Sequence, residues 1–260
     1  MRIDTLIINA DTLTMAGKGV GYEDNCAVAI DAGKIIAVVP MADAGAYEAE
    51  ERAMKRICMT GFDPVRSLGD EKNPSYELIR DFPREFMGYE VMTFEVPTAF
   101  DRNRAAVASI IQENKPDIFL GLGLSGSRFE ITLENVGINF RDAGYMKDND
   151  GMILHHEPIY ADGAGGYISP MPVQKVVARA QAEGIQMAES YYCGTYCCNQ
   201  VLYNGLYHRD KFFPNMLAGF LHVPYFPELV IGRKSAPSMP REKSARALEI
   251  LLEECVEALR

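Results

Sequence analysis

The stretch "PDIFLGLGLSG" at residues 116–126 carries the heaviest constraint on the fold. It is apolar without alternation, of strand length, and bounded by Pro and Gly. A strand of that texture is buried on both faces, as in a parallel sheet between helices. Its surroundings agree from Arg56 onward. "RICMTGF", "YEVMTFEVPT", "IQMAESYY" and "AGFLHVPYFP" read as strands. Helical segments separate them: "NPSYELIRDF" with Ser75 capping its start, "DRNRAAVASIIQEN" with Asp101 as cap, and "MPVQKVVARAQAEG". The tail "PREKSARALEILLEECVEALR" places Leu248, Leu251, Cys255 and Leu259 on one helical face. This alternation predicts an α/β fold, a three-layer α/β/α sandwich with a mostly parallel central sheet.

The first part of the chain has another texture. "CAVAIDAGKIIAVVP" places two apolar arms around Asp31-Ala32-Gly33-Lys34, a hairpin signal, and "MADAGAYEAEERAMKR" reads as a helix or linker. The expected organisation is a β-rich N-terminal extension, residues 1–55, before an α/β domain, residues 56–260. With a formal charge of −10 and a pI near 5.0 the chain lacks the basic character of a nucleic-acid binder. No apolar run reaches the roughly 18 residues that span a bilayer. The start lacks the basic-then-apolar order of a secretory signal, so a cytoplasmic setting is expected.

"CGTYCCNQ", residues 193–200, concentrates three of the chain's six cysteines between a strand and a helix. Zinc normally takes spaced ligand pairs, whereas Cys197 and Cys198 are adjacent and their side chains must diverge. A CxxC redox pair is absent, and Cys58 and Cys255 lie in apolar stretches suited to core thiols. A thiol at a strand–turn–helix junction meets unpaired N–H groups and the positive end of the helix, which favour thiolate and can hold an oxyanion. A cysteine nucleophile also needs a base near in space. His155 and His156 fall in a polar loop, His208 ends a helix, and His222 sits in the apolar "FLHVPY". Glu134, an acid within "ITLENVGIN", is a candidate to orient an imidazole. On the residues alone, structural thiols and a core histidine stay open as alternatives.

These segments together, over residues 56–260, resemble the pyroglutamyl-peptidase type I (pyrrolidone-carboxyl peptidase) family. "TGFDP…NPS" and "EVPTAF" resemble its opening strand, turn and next strand. "KPDIFLGLGLSGSRFEITLENVGIN" resembles its PDI…GQAGGR…ITPERVAIN block, and "GTYCCN" its GT(F/Y)VCN motif. "AGFLHVPYFPE" and "KSAPSM" match its last strand and tail. The resemblance implies a cysteine peptidase with Cys198 as nucleophile, His222 as base and Glu134 as the acid that holds the imidazole. It implies removal of an N-terminal pyroglutamyl residue from a peptide or small amide through a thioester. It further implies no metal, no organic cofactor, no nucleic-acid or membrane partner, and a homo-oligomer, tetramer or dimer. Residues 1–50 separately resemble the N-terminal β segment of metal-dependent amidohydrolases, but the HxH motif those enzymes need is missing.

For the acyl pocket the resemblance implies Phe62, Val65, Asn73, Thr98, Leu124, Tyr145, Tyr196 and Cys197. Several of these depart from the family pattern. The second member of its aromatic pair reads Val65, within the longer loop "VRSLGDE". Its lactam-binding glutamine is Leu124, its oxyanion arginine is Gly144, and the histidine after the nucleophile's asparagine is Gln200; Asn73 and Thr98 are kept. Arg141 is a candidate replacement for the arginine. Two further readings follow from the departures: a cysteine amidase with altered acyl specificity, and a silent ligand-binding relative.

Overall fold

The computed structural model of the chain describes residues 2–14, 21–46, 48–51 and 55–260. They form two compact units, Met1–Lys55 and Arg56–Arg260. In the first, β1 (Arg2–Thr14), β2 (Gly21–Asp31), β3 (Lys34–Pro40) and β4 (Glu48–Glu51) make a sheet of order β3-β2-β1-β4. β2 and β3 pair antiparallel with Asp31 opposite Lys34. Ala32 and Gly33 both have positive φ, 49° and 71°, as a two-residue hairpin turn requires. The segment expected to be helical or a linker is instead a 3₁₀ turn, Met41–Ala46, followed by β4; its positions 47 and 52–54 lie outside the described residues.

The second unit is built on β5 (Arg56–Phe62), β6 (Glu85–Phe86), β7 (Tyr89–Val96), β8 (Ile118–Leu124), β9 (Ile131–Glu134), β12 (Met187–Ser190) and β13 (Leu217–Val223). Their order is β12-β9-β13-β8-β5-β7-β6. β13, β8, β5 and β7 run parallel, and so do β12 and β9, whereas β9 meets β13 antiparallel and β6 meets β7 antiparallel. β10 (Val136–Ile138) and β11 (Gly166–Ile168) form a separate ribbon. Five helices complete the unit: α1 (Pro74–Ile79), α2 (Phe100–Asn114), α3 (Val173–Ala182), α4 (Cys197–Lys211) and α5 (Arg241–Ala258).

Successive side chains of a strand point to opposite faces, and here they sort the core in two. Ile57 and Met59 of β5 with Ile118, Leu120 and Leu122 of β8 join α1, α3 and α5. Cys58, Phe119 and Phe220 join α2 and α4 on the other face. The result is the three-layer mixed α/β architecture. Leu248, Leu251 and Cys255 of α5 are buried, as their spacing implies, and Cys58 is a fully buried core thiol. Among the described residues no helix is long and apolar enough to cross a membrane.

Two caps differ from expectation. Asn73, not Ser75, caps α1: its Oδ1 accepts from the Ser75 N–H at 3.1 Å and from Ser75 Oγ at 2.8 Å, and its Nδ2 donates to Asp63 O at 3.0 Å. Pro74 occupies the first helical position, which needs no N–H, and Ser75 Oγ accepts from the Phe62 N–H at 3.0 Å. α2 starts two residues earlier than a cap at Asp101 would dictate, with Ala99 in the cap position. Asp101 is thus inside the first turn, and the Phe100 N–H donates to Asp148 Oδ2 at 2.9 Å. Asn73→Ala removes a cap and a link to the end of β5. It is expected to lower stability by about 1–2 kcal/mol, read as a lower urea midpoint at unchanged m-value.

Candidate active site

The carboxyl ends of β8, β5 and β13 and the start of α4 converge on one place. α4 begins at Cys197 with Tyr196 as a cap that provides no side-chain hydrogen bond. The first N–H groups of a helix lack internal partners, so those of α4 stay available at the end where Cys198 sits. Cys197 is directed into the core with Val201 and Phe220, while Cys198 retains surface toward a cavity. β8 makes room for it through glycines. A Cβ at Gly121 would lie 2.7 Å from Val201, and one at Gly123 would lie 2.9 Å from Cys198 Sγ and 2.7 Å from the Phe220 ring. Gly123 is also the register partner of His222 on β13. His222 follows Phe220 by two residues and so shares its face, with ring centroids 4.9 Å apart. The thiol, carried by α4 over Gly123 of β8, and the imidazole, carried by the neighbouring β13, therefore lie on the same face of the sheet.

The antiparallel β9–β13 pair sets Glu134 opposite Phe220 and Thr132 opposite His222. Glu134 is fully buried, and its Oε1 collects three donors: His222 Nδ1 at 2.8 Å, Arg128 Nη1 at 2.5 Å and Thr132 Oγ1 at 3.1 Å. Arg128 also donates to Thr132 Oγ1 and, through Nη2, to Tyr192 O at 3.0 Å. Burial by itself would raise the Glu134 pKa. The His222 hydrogen bond and charge, aided by Ser190 and Arg128, outweigh it and bring it down to about 2. Burial lowers His222 below its ordinary 6.5; Glu134 opposes that and Arg128 adds to it. At neutral pH the pair is thus a carboxylate accepting from a neutral imidazole, whose Nδ1 carries the proton and whose Nε2 keeps its lone pair. Burial, with the Glu134 charge, pushes the Cys198 thiol up to about 12, while Arg128 and the residue's own N–H pull the other way. The resting sulfur is a thiol, and it becomes nucleophilic only as its proton leaves.

The cavity beside Cys198 measures about 260 Å³ and is lined by Phe62, Val65, Leu68, Asn73, Thr98, Leu124, Ser125, Gly126, Met146, Tyr196, Cys197 and Cys198. All but one of the pocket residues expected from sequence are on this wall. Tyr145 is the exception: it is 95% exposed and its neighbour Met146 takes the lining position. Gly144, with φ of 58°, turns the chain so that position 145 faces solvent. Among the described residues the lining holds no cation. Arg141 is buried and committed to Asp101 at 3.2 Å and Glu157 at 3.0 Å. Asn73 and Thr98 spend hydrogen bonds on the Asp63 carbonyl, at 3.0 and 3.2 Å.

The other sequence candidates lie elsewhere. His155 and His156 are exposed, beside Asp142. His208 is buried within α4, where its Nδ1 meets Asn204 O at 2.9 Å. Asn199 ties α4 to the Ile138 and Phe140 backbone, and Gln200 Nε2 reaches Phe100 O at 2.6 Å. Arg128 escaped sequence reasoning. Its place six residues before Glu134, across a turn between strands, was the available signal.

An apolar three-layer core thus carries an acid–imidazole pair beside a thiol at a helix N-terminus. A profile of the family described as Pyroglutamyl peptidase matches residues 55–258. The pyrrolidone-carboxylate peptidase of Lactobacillus johnsonii is 38% identical over 202 residues, 78% of this chain and 93% of that protein. The crystal structure of pyroglutamyl peptidase I from Bacillus amyloliquefaciens superposes with a TM-score of 0.73 at 33% identity, covering 78% of this chain and 96% of that one. That of pyrrolidone carboxyl peptidase from Pyrococcus furiosus gives 0.75 at 30%, covering 79% and 100%. The chain belongs to the pyroglutamyl peptidase family.

The charges fix a pH profile for any activity that uses neutral His222. Glu134 stays ionised down to about pH 2, so the acid limb of kcat/KM belongs to His222 and lies below pH 6.5. Because Arg128 lowers the His222 pKa, Arg128→Ala is expected to move that limb to higher pH. The variant should also lose at least about tenfold in kcat, the scale of a charge-assisted hydrogen bond, with Arg128→Lys recovering part of both.

Proposed function

We propose that this chain is a cysteine omega-peptidase that removes an N-terminal pyroglutamyl residue from peptides, with Cys198, His222 and Glu134 as its catalytic residues. The observation that carries the reading is the 2.8 Å bond between His222 and a carboxylate that remains ionised, on the face where Cys198 Sγ rests over Gly123. His222 Nε2 takes the thiol proton as Cys198 sulfur bonds to the pyroglutamyl acyl carbon. The carbonyl oxygen gains the electron pair and meets the free N–H groups of α4. Collapse expels the peptide amine, which receives the proton from His222, and leaves a thioester. Water then adds to the thioester with His222 again as base, releasing pyroglutamate and the thiol. Glu134 holds the Nδ1–H tautomer throughout and offsets the imidazolium charge. The proposal places this activity in the Arg56–Arg260 unit and in the cytoplasm, in a homo-oligomer whose contacts include the Met1–Lys55 unit.

A second reading keeps the chemistry and changes the acyl group. Leu124 and Val65 stand where the family pattern has a glutamine and an aromatic ring, Leu68 and Met146 add apolar surface, and the retained Asn73 and Thr98 bond the backbone. A wall of this kind favours a less polar amide or lactam. Sites built to bond a polar substrate group discriminate by about four to five orders of magnitude against analogues without it.

Hydrolysis of matched pyroglutamyl, prolyl, acetyl and alanyl amides separates the readings. Pyroglutamyl turnover highest of the set supports the first, and a preferred prolyl or acetyl amide supports the second. In either case Cys198→Ser should lose at least about a thousandfold in kcat while Cys197→Ser retains it. Full activity in Cys198→Ser removes both readings. Leu124→Gln should raise pyroglutamyl kcat/KM about tenfold, the worth of one restored hydrogen bond of about 1.4 kcal/mol.

A further inference from the structure

Cys193 is a buried thiol that the acyl-transfer chemistry does not use, and its surroundings suit a metal ion. Its Sγ, a carboxylate oxygen of Glu134 and a ring nitrogen of His222 all lie within 4.8 Å of one another, on three buried residues. A second observation points to a ligand in the same place. Glu134 is fully buried, and while its Oε1 accepts from three donors, its Oε2 has no hydrogen-bond partner. A buried carboxylate oxygen without a partner is costly, and a cation would satisfy it.

We propose that Glu134 Oε2, Cys193 Sγ and His222 Nδ1 form an inhibitory site for Zn²⁺, with water as the fourth ligand. Zinc bonds to sulfur at about 2.3 Å and to nitrogen or oxygen at about 2.0–2.2 Å, so ligand atoms on one ion stand about 3.3–3.8 Å apart. Closing of the cluster by about 1 Å reaches that spacing. The set of one thiolate, one imidazole and one carboxylate suits zinc and would serve calcium or magnesium poorly. On binding, the Cys193 thiol gives its proton to solvent, the His222 Nδ1 proton passes to Nε2, and the sulfur and Nδ1 each donate an electron pair to the ion. Two negative ligands then balance the two charges. Arg128 opposes a cation, but its guanidinium engages Oε1 and leaves Oε2 free. Its side chain is 27% exposed, so part of its charge is screened by solvent.

The consequence for activity rests on the peptidase reading. An ion held by His222 and Glu134 removes the base that Cys198 needs, so zinc inhibits through a thiol other than the nucleophile. The sulfur of Cys193, not that of Cys198, is the one the site requires.

Titration of the full chain with Co²⁺, which gives a thiolate charge-transfer band and visible bands in a tetrahedral site, tests binding apart from activity. The band should appear in the wild type and in Cys198→Ala, be displaced by Zn²⁺, and vanish in Cys193→Ala. Cys193→Ser, closer in size, should lose it as well, with circular dichroism reporting the fold. The zinc concentration giving half inhibition, each variant normalised to its own zinc-free rate, should rise at least tenfold in Cys193→Ala. A band that survives loss of Cys193, one that vanishes in Cys198→Ala, or none in the wild type overturns the site. A chain that hydrolyses none of the amides yet shows a Cys193-dependent band keeps the site and removes the peptidase reading.

Discussion

One oxygen atom, Glu134 Oε1, gathers the hydrogen bonds on which the site's arrangement depends. It accepts from the imidazole of His222, the guanidinium of Arg128 and the hydroxyl of Thr132. A buried carboxylate without such donors would take up a proton to escape its desolvation. Here burial is outweighed by the hydrogen bond and charge of His222, with help from Ser190 and Arg128, and the carboxylate stays ionised, with a pKa of about 2. An ionised Glu134 in turn fixes which nitrogen of His222 carries hydrogen and orients the other as a base. The sheet supplies these contacts through its one interior departure from parallel order. β9 runs against β13, which sets Thr132 across from His222 and Glu134 across from Phe220.

The thiol reaches the same place from the other side by close packing. α4 approaches β8 over Gly121 and Gly123, where any Cβ would meet Val201, Phe220 or Cys198 itself. Asn199 and Gln200 then hold the helix start to the Ile138–Phe140 backbone and to α2. Cys198 gains an electropositive helix end but also a desolvated setting, and the second effect dominates its ionisation. Its reactivity therefore depends on proton transfer to His222 rather than on a standing thiolate.

Much of this was legible in residue order, for identifiable reasons. Every strand of the Arg56–Arg260 unit longer than two residues that borders the cavity follows an apolar run, and burial on both faces leaves such runs little else to become. Residue type and place made a thiol at the strand–helix junction, His222 and Glu134 candidates, and the family resemblance implied Cys198 as the nucleophile and the role of each. Their spatial relation depends on strand order and on β9 reversing direction, which local pattern does not encode. Caps were less legible. Asn73 displaced Ser75 because Pro74 fits the first helical position, and Asp148, distant in sequence, served Phe100 in place of Asp101. Tyr145 left the pocket through the positive φ of Gly144. Arg128 was hidden because its partners lie across a turn and on another strand.

Membership of the pyroglutamyl peptidase family and the altered wall around Leu124, Val65 and Met146 meet at the acyl group that Cys198 accepts. Mass spectrometry of acid-quenched enzyme mixed with an activated pyroglutamyl ester tests this directly. The account predicts one pyroglutamyl adduct, which fragmentation places on Cys198 and which is absent from Cys198→Ala. An adduct on Cys197 or Cys193, or substrate turnover in Cys198→Ala, would contradict it.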